Sequence, residues 1–477
     1  MLNVAILATV AWGVLAFGAV YPWAYWPLAG AAVITGALGW MAARKTPWAE
    51  RGLALPLLLV AIGAALQMVP LPRQALELIS PATLQYLDAY DLRWAYRIGV
   101  SAQSHALSLD PERTLLGIAL LAAFSMLLLG TARALSRTGP SNLAVGLIVL
   151  GTCVALIAIV QGALTADQLA YDVKIYGFWT PQNRATPYGP FVNRNHFAGF
   201  VVMLLPLALA YLAALVDDAL RHVRPTLRDR MLWTGTPAGG RAWLIAMCAA
   251  VMMLSLLLSR SRSGLAAFAG AVGIAALIGA GGSRRWRRVL PAVILLGALA
   301  GAMVIWAGAD TGLSRVGEVS TEIGGRLSAW RDATRIVKAF PIFGTGLNTY
   351  GAASLLYQST SLESHYREAH NEYLQLAAEG GLWLGVPILL CCWQLARLTR
   401  ARFRAPHASR EHYWLRVGAV TALLAIALQS LVEFSLQMPG NAALFAVVAA
   451  IAVHAGRDKT TGLTGEAESP RPVRGSR

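Results

Sequence analysis

The chain has 477 residues, of which 56% are apolar and only 13% are charged, and its formal net charge is +16. Globular proteins typically have about 45–50% apolar and about 25% charged residues, so a soluble protein is excluded because so few charges could not cover its surface. The basic residues lie in short runs between long apolar segments, which argues against a nucleic-acid-binding surface. The composition therefore predicts an all-α polytopic membrane protein.

Apolar stretches of about 20 residues, the length that crosses a bilayer as a helix, recur along the chain and contain no Asp, Glu, Lys or Arg. We predict about twelve transmembrane helices, at residues 3–20, 24–43, 52–70, 114–132, 142–164, 195–216, 242–258, 264–281, 289–308, 381–396, 417–432 and 441–456. The four cysteines all lie in these spans, so we expect neither a disulfide framework nor a zinc site.

The basic residues orient the predicted bundle. If the N-terminus is inside, the inner connections carry 25 Lys and Arg and the outer connections carry 15. The positive-inside rule then predicts cytoplasmic N- and C-termini, with a transmembrane bundle over 1–456 and a disordered, polar cytoplasmic tail over 457–477. Three outer segments, 71–113, 165–194 and 309–380, exceed the roughly 12–15 residues above which a loop is usually functional or structured.

The large outer loop, 309–380, is predicted to be partly helical. Apolar residues recur at helical spacing over 325–340, and Pro341 ends that pattern. A second helix is predicted over 364–379, ending at Gly380-Gly381. No strand pattern is apparent.

Three polar clusters are predicted to lie on the outer face. They are Asn193, Arg194 and His196 at the start of the sixth span, Arg260 and Arg262 in the Ser-Arg-Ser-Arg-Ser-Gly turn at 259–264, and His370 in Glu-Ala-His-Asn-Glu at 368–372, with Glu379 beyond it. Taken singly, an arginine at a span end commonly extends to the lipid headgroups, and a lone histidine is usually structural. Taken together, arginines on the less basic face of the membrane indicate a shared function.

Convergent arginines suit a diphosphate, because the guanidinium group binds phosphate oxygens through two parallel hydrogen bonds. An imidazole, whose unperturbed pKa is about 6.5, can take a proton from a hydroxyl nucleophile. Diphosphate, hydroxyl and base together predict glycosyl transfer from a lipid-diphosphate sugar. No Asp-x-Asp pair occurs in the predicted outer segments, so we expect the reaction to be metal-independent.

These clusters resemble the O-antigen ligase/polymerase family of bacterial lipid-linked glycan transferases. The resemblance covers about 185–445 and is carried by the sequences Asn-Arg-Asn-His-Phe-Ala-Gly at 193–199, Ser-Arg-Ser-Gly at 261–264, His-Asn-Glu-Tyr-Leu at 370–374 and Glu-Phe-Ser-Leu-Gln-Met-Pro-Gly-Asn at 433–441. It implies a multi-pass inner-membrane enzyme with a GT-C-like bundle and a periplasmic active site that uses no metal or other cofactor. The implied donor is an undecaprenyl-diphosphate-linked glycan. The implied acceptor is lipid A-core in a ligase or another lipid-linked glycan in a polymerase, and the motifs leave that choice open.

The resemblance also assigns roles to residues. It makes His370 the general base and places Arg194 and Arg262 on the donor diphosphate, with Arg260 as a less certain neighbour. Residues two apart on a helix point in different directions, so we do not expect Arg260 and Arg262 to reach one phosphate. We expect the supporting residues to orient the histidine, hold the loop or contact the substrate; they are Asn371, Glu372, Glu379, His196 and Asn193. The 71–113 segment is predicted to wall the acceptor cleft.

Two other classes of protein remain as alternatives. A lipid-linked glycan flippase or exporter would need a charged or polar cavity through the bilayer centre, and the predicted spans offer no charged residue for one. A non-catalytic assembly scaffold would tolerate substitution of His370. Membrane lipids are expected partners in every case, and nucleic acid in none.

Overall fold

The computed structural model describes residues 1–44, 48, 50–96, 98, 104–169, 172–181, 186–224, 226–280, 313–359, 367–405 and 409–456. These residues form an almost entirely α-helical fold. In chain order the helices are α1 (Leu2–Leu15), α2 (Pro22–Ala42), α3 (Arg51–Leu66), α4 (Arg73–Ile79), α5 (Pro81–Tyr90), α6 (Leu92–Ala95), α7 (Pro111–Thr138), α8 (Ser141–Leu164), α9 (Arg194–His222), α10 (Leu227–Thr234), α11 (Pro237–Leu258), α12 (Arg262–Ala280), α13 (Leu313–Ala339), α14 (Tyr350–Tyr357), α15 (Glu372–Arg404), α16 (Arg410–Gln429) and α17 (Pro439–Val453). Short 3₁₀ turns lie at Phe17–Ala19 and Ser435–Gln437.

Six of the described helices are long and apolar enough to cross a membrane: α7, α8, α9, α11, α12 and α15. Helices α1, α3 and α17 are apolar but shorter. The all-α membrane fold predicted from composition is therefore present. The count of twelve spans stays a prediction, and the span at 289–308 and the tail at 457–477 lie outside the described residues.

Helix α9 lies at the centre of the bundle. Every residue from His196 to Ala208 is buried, and helices α8, α11, α12, α16 and α17 pack around it. A helix that is apolar on all sides lies either inside a protein or in a membrane; the sequence over 197–216 has no charged residue, and over 196–208 this helix is enclosed by protein. The first turn of α9 is thereby held in a fixed position at one end of the bundle.

Two glycines allow close packing at that end. A Cβ atom on Gly264, in the first turn of α12, would lie 2.6 Å from the Cβ of Ala198 on α9. A Cβ on Gly199 would lie 2.7 Å from Ser435. The start of α12 and the turn before α17 therefore both approach α9 at van der Waals distance, which brings three separate parts of the chain together.

Two segments that are predicted to lie on the outer side, 71–113 and 309–380, pack against each other through their described residues. Residues Leu71–Pro72 pair with Ser104–His105 as a two-residue antiparallel ladder, which is too short to produce the alternation that marks a strand in sequence. Ala82 and Leu109 share a hydrophobic cluster with Ala333, Ile336, Phe340, Tyr350, Ala353, Ala369 and Ala378. The segment that was expected to wall a cleft is thus also a packing partner of the large loop.

Gln67, just after α3, fixes this outer layer to the bundle. Its Nε2 donates to the carbonyl oxygens of Phe343 (2.6 Å) and Glu379 (3.0 Å), and its Oε1 accepts from the backbone N–H of Leu347 (3.1 Å). The side chain is buried, so these bonds also satisfy an amide that could not reach water.

The predicted helix over 325–340 is present within the longer α13. Of the predicted helix over 364–379, residues 364–366 lie outside the described residues, and the prediction was wrong for 367–371, which are not helical. Helix α15 begins at Glu372, because Asn371 caps it and the preceding residue, His370, has a φ of +51° that no right-handed helix accommodates. Its break at Gly381 (φ +53°) agrees with the predicted Gly380-Gly381 boundary. A Cβ there would lie 2.5 Å from the Ile342 carbonyl oxygen.

Arg416 directly precedes the predicted span at 417–432. It lies inside α16, is buried, and donates to the backbone oxygens of Ala452 (3.0 Å), His454 (3.0 Å) and Arg402 (3.3 Å). Two of these carbonyls end α17, where unpaired acceptors and the negative end of the helix dipole favour a cation.

Replacing Gly264 by leucine should separate α12 from α9. Overpacking in a tight contact costs about 1–3 kcal/mol, so we expect a lower thermal unfolding midpoint. Gly273→Leu is the matched control, since a Cβ at that position meets nothing within 4 Å. Equal midpoints for the two variants, measured on detergent-purified protein, would contradict the packing described here.

Candidate active site

His370 lies immediately before α15 in a strained but well-anchored backbone conformation. A non-glycine residue in the left-handed region costs about 1–2 kcal/mol, and histidine tolerates it better than most residues. Trp330 Nε1 donates to the His370 carbonyl oxygen (3.4 Å), and the Asn371 side chain accepts from the N–H groups of Tyr373 and Leu374 (both 3.0 Å). These bonds fix the backbone around His370. The imidazole remains 28% exposed, so a substrate can reach it.

The carboxylate of Glu433 lies behind this imidazole and has no exposed surface. His370 Nδ1 is 3.9 Å from Glu433 Oε2, which is an ion-pair distance if the ring is protonated. Glu433 Oε1 accepts hydrogen bonds from Arg326 Nη2 and from Asn195 Nδ2 (2.7 Å). These two donors, one cationic and one an amide, hold the carboxylate in place, so it can stabilise a positive charge that forms on His370.

Phe434 separates two histidines. Its ring centroid lies 4.7 Å from that of His370 and 4.6 Å from that of His196, with both pairs close to perpendicular. His196 is buried on the first turn of α9. The predicted supporting histidine is therefore near His370, on the opposite end of one shared contact with Phe434, and is itself buried.

Asn195 connects the turn at 259–264 to Glu433. The Ser261 hydroxyl donates to Asn195 Oδ1 (2.8 Å), while Asn195 Nδ2 donates to Glu433. Arg194 and Arg262 directly adjoin these two residues in sequence, so the structure brings all three predicted clusters to one end of the bundle. It does so through their neighbours, Asn195 and Ser261.

The predicted arginines differ in their surroundings. Arg194 is half-buried, Arg260 and Arg262 are exposed, and none of the three makes a side-chain hydrogen bond or ion pair within the part of the chain that the structure describes. Arg260 lies in the turn with a φ of +53°, whereas Arg262 is the first residue of α12. The two side chains thus belong to different local structures, a turn and a helix, and not to one helix as the spacing argument assumed.

The predicted supporting residues hold backbone segments in place. Asn193 caps α9 by accepting from the N–H of Asn195 (2.8 Å). Glu372 accepts from the Leu436 N–H and from Gln437 Nε2 (both 2.9 Å). Glu379, like Glu372 buried, accepts from the N–H groups of Asn348 (2.8 Å) and Tyr350 (3.2 Å) and from Gln375 Nε2 (3.2 Å).

Two tyrosines near the outer layer are unsuited to accept protons at neutral pH. Burial raises the pKa of Tyr188 to about 12. Burial, reinforced by the charges of Asp332 and then Glu368 and Glu379, also raises the pKa of Tyr350. Both phenols therefore stay protonated, which leaves imidazole and carboxylate as the groups able to act as bases.

Sequence reasoning missed Glu433 and Arg326 as site residues. Arg326 was visible only as one charge among several on a predicted amphipathic helix. Glu433 had a signal, since it follows directly on an apolar run of sixteen residues, 417–432, and carboxylates at such positions are costly unless paired. Among the described residues, no group of three or more His, Cys, Asp or Glu is arranged to hold a metal ion.

Residues 247–390 match the family model of O-antigen ligase. The chain carries an O-antigen ligase domain. This match confirms the resemblance inferred from the motifs, and it lies in a chain whose described residues include six helices long and apolar enough to cross a membrane. No curated protein sequence matches the chain.

The O-antigen ligase match includes Ser261, Arg262, Arg326 and His370 but ends before Glu433 and begins after Arg194 and Asn195. The contacts described above are therefore what connect the matched region to the rest of the site. They place residues from α9 and from the turn before α17 beside the domain's own histidine.

Glu433→Gln should reduce glycan transfer at least about tenfold, because the neutral amide no longer stabilises a charge on His370, and tenfold corresponds to one pKa unit. Glu372→Gln is the control: it removes a buried carboxylate that accepts from Leu436 and Gln437 and has no ion pair with His370 among the described residues, so a smaller loss is expected. Both should be compared as purified, monodisperse protein at equal donor concentration. Equal losses would show that Glu433 acts only by holding the fold.

Proposed function

We propose that the protein is a periplasm-facing, metal-independent glycosyltransferase that moves a glycan from undecaprenyl diphosphate to an acceptor hydroxyl. The observation that carries this proposal is the partly exposed His370 imidazole with the buried Glu433 carboxylate 3.9 Å behind it, at the end of the bundle where the arginine clusters begin α9 and α12.

In this mechanism His370 removes the proton from the acceptor hydroxyl. The acceptor oxygen attacks the anomeric carbon of the donor glycan, and the bond from that carbon to the diphosphate oxygen breaks with its electron pair leaving on the diphosphate. Because Nδ1 lies toward Glu433, Nε2 is assigned to the acceptor. Glu433 then stabilises the imidazolium, as a carboxylate does behind a general-base histidine.

Arg194 and Arg262 are assigned to the donor diphosphate. Neither has a side-chain partner within the described residues, so both guanidinium groups are available to an anion and can stabilise the charge that develops on the leaving group. This is the role that a divalent metal has in other diphosphate enzymes. Arg326 adds a third guanidinium beside His370, although it is engaged with Glu433. Arg260 stays a secondary candidate.

The proposed arrangement in the membrane follows from charge. The 25-to-15 distribution of Lys and Arg supports cytoplasmic termini, a GT-C-like bundle of about twelve spans over 1–456, and a periplasmic site on the loop 309–380 in the bacterial inner membrane. The family core is proposed to extend over about 185–445. The supporting residues Asn371, Glu372, Glu379, Asn193 and His196 are assigned to holding this site in shape.

The acceptor is proposed to be lipid A-core or a second lipid-linked glycan, which would make the protein a ligase or a polymerase respectively. Both reactions use the same base and the same leaving group, so the site is compatible with either. A flippase would move the lipid-linked glycan without breaking the bond to the diphosphate. Substitutions of the proposed base and of the proposed diphosphate-binding arginines distinguish a transferase from a flippase.

His370→Ala and His370→Gln should both insert and bind donor but transfer glycan at about 1% of the parent rate or less. General-base catalysis typically contributes about 10²–10⁴-fold, and glutamine cannot accept the proton at neutral pH. Transfer by purified variants into a defined acceptor is the measurement, with donor binding assayed in parallel. An active His370→Gln enzyme would move the base elsewhere and leave His370 a packing role.

Arg194→Ala and Arg262→Ala should each impair donor use far more than Arg260→Ala. Removing one partner of a desolvated charge pair costs about 2–5 kcal/mol, and lysine should rescue only partly because it lacks the planar fork. Treatment of the purified enzyme with EDTA should leave the rate unchanged. Complete loss of activity that added Mg²⁺ restores would assign the diphosphate to a metal.

A further inference from the structure

Asn195 has a fixed orientation, because each end of its amide faces a group of defined hydrogen-bonding character. Glu433 Oε1 can only accept, so the amide must present Nδ2 to it, at 2.7 Å. The Ser261 hydroxyl then donates to Oδ1 at 2.8 Å. The backbone carbonyl of Asn195 also accepts from Gln429 Nε2 (3.0 Å). Such a residue cannot rotate without breaking several bonds at once.

These bonds form a continuous path between the two halves of the site. Ser261 precedes Arg262, Asn195 follows Arg194, and Glu433 lies behind His370. The geometry points to Asn195 as a positioning residue that orients Glu433 toward His370 and links that carboxylate to the arginine-bearing ends of α9 and α12. This inference rests on the proposed function, since it assigns the base and the diphosphate as above.

The charged and titratable groups around this path come from several elements. They are Arg326 from α13, His370 and Glu372 at the start of α15, Glu433 before α17, Arg194 and His196 from α9, and Arg260 and Arg262 at α12. Of these, only Arg326 joins Asn195 as a hydrogen-bond donor to Glu433 within the described residues.

Asn195→Asp tests this assignment. The substitution would place two carboxyl groups at hydrogen-bond distance, and such a pair retains one proton to higher pH than a lone carboxyl. With that proton bound, the introduced carboxyl would donate to Glu433 as the amide does, and the net charge of the site would be unchanged. Once the proton is lost, repulsion would turn Glu433 away and alter the charge next to His370.

The measurement is the initial transfer rate of purified parent and Asn195→Asp enzyme at saturating donor from pH 5 to pH 9. We expect the ratio of parent to variant rate to be near one at the acidic end and to increase with pH, by up to about tenfold per unit. A ratio that is the same at every pH would overturn the inference, whatever its size. Asn193→Asp is the control: it adds the same charge two residues away, where the side chain only accepts, so its ratio should not vary with pH.

A double-mutant cycle gives a second test that does not need the aspartate variant to fold. If Asn195 acts through Glu433, Asn195→Ala should lower the rate strongly in the parent and much less in the Glu433→Gln background. Additive effects would overturn the inference. An inactive parent would instead contradict the proposed function, so failures of the two are distinguishable.

Discussion

The buried carboxylate of Glu433 is the constraint on which the site depends. An ionised group without exposed surface is costly unless it is paired and hydrogen-bonded. Here the compensating groups are Arg326 from α13, Asn195 from α9 and, at 3.9 Å, the imidazole of His370. Three parts of the chain that are distant in sequence must converge for the fold to hold that charge. The same convergence leaves a histidine facing outward with an anion behind it.

Local backbone structure fixes the positions of the site residues. His370 is fixed in the left-handed region between the Trp330 hydrogen bond and the Asn371 cap, and the first turn of α9 is fixed by its own asparagine cap and by tight packing at Gly199 and Gly264. Strain of this kind persists only where the surroundings enforce it, and it is concentrated at functional sites. We conclude that the bundle provides a rigid platform and that the polar chemistry lies at its end.

The helical fold and the family were predictable from the sequence. Some of the site residues were not, and the reason is physical. Apolar runs predicted the places of eleven described helices, because helix length in a bilayer is set by the hydrocarbon thickness, but six of these helices extend or stop five to nine residues away from a predicted end. The motif resemblance identified the family, which the match over 247–390 confirms, while the role it assigns to His370 stays a prediction. Glu433 and Arg326 were not recognised as site residues, because two residues that pair in the fold but lie far apart in sequence show no characteristic spacing. The start of α15 was misplaced by eight residues, since helical periodicity does not register a left-handed residue at its end.

The account's central claim is that the outward-facing His370, supported by Glu433, drives displacement of a lipid diphosphate by a hydroxyl. The most direct measurement is the stoichiometry of the reaction: purified parent enzyme, a defined undecaprenyl-diphosphate glycan and an acceptor, with the released lipid diphosphate and the glycosylated acceptor quantified together. The account predicts one lipid diphosphate released for each glycan transferred, with no release in the absence of acceptor. Movement of intact donor across a vesicle membrane without bond cleavage would contradict it.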